Sequence, residues 1–270
     1  MGNKALRWIA IVLLGGMAVA QAPVVPTDRY GPPVCSAAKP AAHKSAVEIA
    51  REEQQQGASD PAALLSDDPF ENFGVTRYRV ADYADCSGKV GCYWADLDAQ
   101  YKRAEAKLAA EIATKKAGEK LAVVMDIDET SLSGYCELKR EDFGYIGSMF
   151  NAWVVSPEAA VGIPGGVRLF DEAKAAGIAV FFITGRPETQ AEATAKNLEA
   201  AGYHGWAGLV LRNEAETAMP TIEYKSSERK KIAAKGYRIA LSVGDQWSDL
   251  LGAPKAEASV KLPNPFYFLP

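Results

Sequence analysis

Two carboxylates, Asp126 and Asp128, stand two positions apart where the apolar run of KLAVVMDIDETSLSG ends, and a third acid, Glu129, follows at once. Side chains two apart on an extended chain project the same way, so both aspartates can reach one reacting group. One can then stay ionised and act as a nucleophile while the other carries a proton. The same character recurs twice more. IAVFFI runs into Thr184-Gly185-Arg186, and YRIALSVG runs into Asp245-Gln246-Trp247-Ser248-Asp249. Lys225 follows PTIEY, just before the expected start of a helix. Clustered carboxylates repel, and a hard cation relieves that cost; Mg²⁺ suits one or two carboxylates plus water and phosphate oxygens. Thr184 and Lys225 can donate to phosphate oxygens, with Gly185 counted in the same phosphate-binding set.

Residues of this kind need elements that bring them together. From residue 120 onward apolar strands alternate with helices. LAVVMDID, IAVFFITG, GLVLR, YRIALSVGD and SVKLPN read as strands. GGVRLFDEAKAAG, PETQAEATAKNLEAAG and SSERKKIAAKG read as helices, with a short one at QWSDLLG. This alternation implies an α/β fold with a parallel sheet buried on both faces. Such sheets bind ligands outside the carboxyl ends of their strands, which is where these polar residues fall. Taken singly, each match has an ordinary reading: a solvated turn acid, a surface lysine, a helix-turn carboxylate. Their order, each after an apolar strand, makes the pattern specific.

The first part of the chain reads differently. Lys4 and Arg7 precede an apolar run that ends in Ala18-Val19-Ala20, the pattern of a signal peptide over 1–20 cut after Ala20. The run is short for a membrane span, so an uncleaved anchor is the competing reading and no stable anchor is expected after cleavage. A Pro-rich lead-in covers 21–39, and a helical extension covers 40–118, with helices at AAHKSAVEIAREEQQQG and DAQYKRAEAKLAAEIATKKAGEK and an irregular segment between them. The strand–helix core is expected over 119–270. Export makes disulfides reasonable for Cys35, Cys86, Cys92 and Cys136. Cys86 and Cys92 bracket a short loop and are expected to pair, with Cys35–Cys136 as the second pair. A net charge of −4 argues against a nucleic-acid partner, and two histidines argue against a His-rich metal hydrolase.

DIDET, ITGR, YKSSERK and GDQWSDLLG resemble the four motifs of the haloacid dehalogenase (HAD) superfamily. The wording is most similar to its acid phosphatase subgroup, subfamily IIIB, which includes the plant vegetative storage proteins; GYRIALSVGDQWSDLLG and the terminal KLPNPFYF share that likeness. The resemblance covers roughly residues 120 to 270. It implies a Rossmann-like three-layer α/β/α sandwich without a large cap domain, acting on small phosphomonoesters. Asp126 would be the nucleophile and Asp128 the general acid/base. Thr184, Gly185 and Lys225 would bind phosphate. Mg²⁺ would sit on Asp126, Asp245 and the backbone carbonyl of Asp128, with Asp249 a ligand directly or through water. Glu129 and Arg186 receive no catalytic role. A non-catalytic storage protein and a phosphotransferase are the competing readings, and a homodimer is compatible with any of them.

Overall fold

A computed structural model describes residues 46–62, 70–87 and 91–269 of the chain. Five strands form one sheet: β1 (Lys120–Met125), β2 (Ala179–Pro187), β3 (Gly208–Arg212), β4 (Tyr237–Gly244) and β5 (Ala258–Lys261), in the order β3-β2-β1-β4-β5. Every pairing is parallel. All five strands lie where the apolar runs place them.

Burial on both faces explains those uninterrupted runs. In β1, Leu121, Val123 and Met125 join one core, which includes α3 (Tyr93–Ala113) and α6 (Pro164–Ala175). Ala122 and Val124 face a second core with Tyr224 and Ile232 of α8 (Thr221–Ala234). The sheet is thus the middle of three layers. The remaining helices are α1 (Ala46–Ser59), α2 (Phe73–Asp85), α4 (Tyr135–Arg140), α5 (Gly147–Val154) and α7 (Ala191–Ala200). Neither the β1–β2 nor the β2–β3 connection holds a cap with a sheet of its own among the described residues.

The N-terminal helices depart from expectation in three ways. The irregular segment contains α2, whose start is capped by the Asn72 side chain accepting from Gly74 N at 2.9 Å. It ends at Cys86, a left-handed residue with φ 55°, where the Ser87 amide donates to the Asp82 carbonyl at 3.0 Å. Second, α3 begins at Tyr93 rather than Asp98, because Tyr93, Trp94 and Leu97 extend its buried face. Third, α1 runs through Gly57 to Ser59; a glycine costs a helix about 1 kcal/mol but need not end it. A Cys86–Cys92 disulfide joins the end of α2 to the start of α3. Cys35, the expected partner of Cys136, lies outside the described residues, as do the signal peptide and the Pro-rich lead-in. No helix among the described residues is long and apolar enough to cross a membrane.

The buried side of α3 supports the loop that follows β1. Tyr101 donates through its hydroxyl to the Thr130 carbonyl, and Tyr203 donates to the Ser131 carbonyl at 2.9 Å. Both tyrosines reach the loop past Gly165 and Gly166 at the start of α6. A Cβ on Gly165 would stand 2.4 Å from the Tyr101 ring, and one on Gly166 would stand 2.6 Å from the Tyr203 hydroxyl. Overpacking a filled core costs roughly 1–3 kcal/mol. Gly165→Ala should therefore destabilise the fold by about that amount, measured by urea denaturation; an unchanged midpoint would show that Tyr101 can move aside freely.

Candidate active site

The strand order reverses its direction of growth between β1 and β4, so the crevice at their carboxyl ends is the topological switch point. Asp126 follows β1 directly, and its amide donates to the Val243 carbonyl of β4 at 3.1 Å. Its own carbonyl accepts from Ser131 Oγ at 2.6 Å. Asp245 follows β4. Asp249 lies at the end of a 3₁₀ turn, Trp247–Asp249, and folds back so that its Oδ2 accepts from the Gln246 amide at 2.8 Å. The close return explains why β4 ends in glycine: a Cβ on Gly244 would lie 2.3 Å from Asp249 Cβ.

These turns bring together carboxylate oxygens of Asp126, Asp245 and Asp249 within 4.8 Å of one another, all three residues buried. Lys225 enters the group from α8 and donates to both Asp126 Oδ1 and Asp249 Oδ1. It lies one turn inside α8, because the helix begins at Thr221 rather than at Ser226. Pro220 at the cap position and Glu223 in the first turn were the local signals for that earlier start.

Asp128 is treated differently. Its carboxylate is clasped by Arg186, with Nη2 at 2.6 Å and Nε at 3.0 Å. Arg186 is itself buried and also donates to Thr194 Oγ1 at 3.1 Å. Of the four residues expected around a cation, three bring carboxylates together, while Asp128 spends its side chain on Arg186. That leaves its backbone carbonyl for the role the resemblance gave it. Thr184 is buried at the end of β2, where its Oγ1 accepts from the Arg186 amide at 3.2 Å, and Gly185 beside it is exposed.

Sequence reasoning passed over three residues that the structure draws in. Arg186 holds Asp128. Glu129, left-handed with φ 52°, accepts from Gly134 N and from Tyr267 Oη. Asn264 donates through Nδ2 to Asp245 Oδ2 at 2.7 Å. The clue to Glu129 and Arg186 was their adjacency to the motifs. For Asn264 the KLPNPFYF match was the clue.

Electrostatics follow from crowding. Burial raises the Asp126 carboxyl well above its ordinary range; Lys225 opposes this, and Asp249, Asp245 and Asp128 add to it. Burial and the neighbouring Asp249 push Asp245 up to about 6, against the hydrogen bonds from Asn264 and Gln246. Glu129 rises to about 8, through burial and then the charges of Asp128 and Asp245. Burial works against the charge on Lys225, but Asp126 and Asp249 outweigh it and raise its pKa. Three buried carboxylates with one ammonium between two of them leave excess negative charge, which suits a hard divalent cation.

Residues 70–270 match the model of the HAD superfamily, subfamily IIIB (acid phosphatase), and the chain belongs to that family. Among its relatives is acid phosphatase 1 of Solanum lycopersicum, 36% identical over 149 residues, which are 54% of this chain and 58% of that protein. The stem 28 kDa glycoprotein of Glycine max is 33% identical over 151 residues, covering 54% of this chain and 59% of that one. Vegetative storage protein 1 of Arabidopsis thaliana is 31% identical over 150 residues, covering 54% and 55%. The chain thus spans little more than half the length of these curated relatives. The class C acid phosphatase from Bacillus anthracis shares the fold, with a TM-score of 0.55 at 22% identity over 72% of this chain and 87% of that one.

The raised carboxyls make stability depend on pH in a defined direction. A carboxyl whose pKa is higher in the folded than in the unfolded chain keeps its proton longer when folded, so stability falls as pH rises from the unfolded value through the folded one. With Asp245 at about 6 and Glu129 at about 8, the window runs from about pH 4 to about pH 8. The metal-free protein should therefore melt at a higher temperature at pH 5 than at pH 8. A melting temperature that climbs across this interval would contradict the crowded-carboxylate account.

Proposed function

We propose that the protein is an exported, Mg²⁺-dependent acid phosphatase that hydrolyses phosphate monoesters through an aspartyl-phosphate. The observation that carries this reading is the convergence of the Asp126, Asp245 and Asp249 carboxylates and the Lys225 ammonium at the carboxyl ends of β1 and β4. Such a group can hold a hard cation against a phosphoryl group beside a carboxylate nucleophile. Asp128, two residues on, is paired with Arg186.

In the reaction, an Asp126 carboxylate oxygen attacks phosphorus and the ester P–O bond breaks. Asp128, as the general acid, passes a proton to the departing oxygen, which leaves as the alcohol. Asp128 then takes a proton from the water that attacks the aspartyl-phosphate, and inorganic phosphate and free Asp126 result. Lys225, which already bridges Asp126 and Asp249, supplies positive charge to the phosphoryl oxygens, with Thr184 and the Gly185 backbone as further donors. A divalent cation held by Asp126, Asp245, Asp249 and the Asp128 carbonyl would neutralise the incoming phosphate and stabilise the transferring group. The hard, all-oxygen donor set favours Mg²⁺ over softer metals.

Export rests on the signal-like pattern of residues 1–20 and is supported by the Cys86–Cys92 disulfide, since such bonds persist in oxidising compartments. The names of the storage-protein relatives favour a second reading, a non-catalytic protein of the same fold. The presence of Asp126 argues for the enzyme. Asp126→Asn separates the two: it should abolish phosphate release in a protein that still folds, and chelation of wild type should abolish release reversibly. A variant retaining a tenth of wild-type kcat would rule out Asp126 as the nucleophile.

The flap over residues 134–153 shapes the substrate side. Tyr135 and Trp153 are buried, Phe143 stacks on Phe266, and Phe150 packs between Tyr145 and Trp153. Most of these rings therefore hold the flap in place, leaving Tyr145 exposed, with Trp247 also exposed beyond Asp245. Exposed rings can stack on an aryl or nucleoside leaving group. kcat/KM for p-nitrophenyl phosphate and nucleoside monophosphates should exceed that for glycerol phosphate; the reverse order would remove the aromatic contribution.

A further inference from the structure

Residues 264–269 form a strap whose contacts reach Asp245, Gln246, Glu129 and the flap, yet none of them acts in the reaction just described. Asn264 is the hub. Its Oδ1 accepts from the Phe266 amide at 2.8 Å, which turns the strap. Its Nδ2 donates to Asp245 Oδ2 at 2.7 Å. Beyond it, the Tyr267 hydroxyl donates to Glu129 Oε2 at 2.8 Å, the Leu269 amide donates to Gln246 Oε1 at 3.2 Å, and the Phe266 ring stacks on Phe143 of the flap.

The consequence for Asp245 is specific. Its Oδ2 accepts two amide donors, Asn264 Nδ2 and Gln246 Nε2, each at 2.7 Å. Its Oδ1 has one longer contact, Thr130 Oγ1 at 3.2 Å. The amides thus fix the carboxylate plane and commit one oxygen, leaving Oδ1 the less engaged of the two. Groups that orient ligands in this way commonly change metal affinity or activity about 10–100-fold when removed. We propose that Asn264 is a positioning residue for the metal centre, presenting Asp245 Oδ1 to the cation and tying that orientation to the C-terminal strap. This rests on the cation site of the proposed function, although not on phosphate chemistry itself.

The test uses the full-length mature protein, stripped of metal and titrated with Mg²⁺ without substrate, reading the rise in melting temperature. Asn264→Ala should move the half-saturating Mg²⁺ concentration upward at least about tenfold. Should that variant fail to fold, Asn264→Ser serves instead; its short hydroxyl can still support the turn but cannot span to Asp245. Leu108→Ala, a cavity variant in α3 remote from the site, should lower the melting temperature without moving the Mg²⁺ midpoint, as any purely structural loss would. In phosphate-release assays the Asn264 variants should regain kcat as Mg²⁺ is raised.

A midpoint within twofold of wild type in the folded Asn264 variant overturns the proposal, as does a wild type whose stability ignores Mg²⁺. A wild type that binds Mg²⁺ and shifts as stated but releases no phosphate upholds the strap and refutes the phosphatase reading. A Mg²⁺-dependent phosphatase with an unmoved midpoint does the opposite.

Discussion

Like charges buried at the end of a parallel sheet are the constraint around which this molecule is arranged. Asp126, Asp245 and Asp249 lie within a few ångströms of one another and away from solvent. Unpaired carboxylates in such a place would protonate or pull in water rather than stay charged. Lys225 offsets part of the charge by bridging two of them, and amide donors from Gln246 and Asn264 satisfy the third. The neutralisation is incomplete, and the raised carboxyls of Asp126 and Asp245 are its expression. A site left short of positive charge suits a hard cation.

Holding such a group together takes support from every layer. From one side, Tyr101 and Tyr203 fix the loop after β1, and they reach it only because Gly165 and Gly166 carry no side chains. From the other, Arg229 of α8 donates to the Asp249 carbonyl at 2.7 Å and to the Pro254 carbonyl at 3.0 Å. That buried guanidinium secures the loop beyond β4. The strap reaches the flap through the stacked rings of Phe266 and Phe143. The helices before β1 share this work, since α3 packs in the same core as β1 and α6.

Arg186 shows how proximity of sequence and difference of role can coexist. Asp126 and Asp128 are separated by one residue, but only the second meets the guanidinium at the end of β2. The left-handed turn at Glu129 reverses the chain immediately afterwards, an uncommon conformation for a residue with a side chain. Its buried carboxyl is satisfied by the Gly134 amide and the Tyr267 hydroxyl, so the reversal is pinned at both ends of the chain's C-terminal half.

The strands, their parallel pairing and the clustering of Asp126, Asp245, Asp249 and Lys225 were legible in the amino-acid order. Uninterrupted apolar runs announce strands buried on both faces, and the carboxyl ends of such strands converge whatever the details of packing. The family motifs and the local Cys86–Cys92 bridge were legible for the same reason, because short spacing leaves little for the rest of the fold to alter. The α2 helix was hidden for a local reason: its weakly apolar face gives little periodic signal, although Asn72 caps its start and Cys86 ends it in a left-handed turn. Tertiary structure alone decided that Lys225 bridges carboxylates from inside α8, that Asp128 pairs with Arg186, and that Asn264 donates to Asp245. Each of these contacts joins residues distant along the chain, and their geometry depends on how helices settle on the sheet. Local pattern carries no information about that.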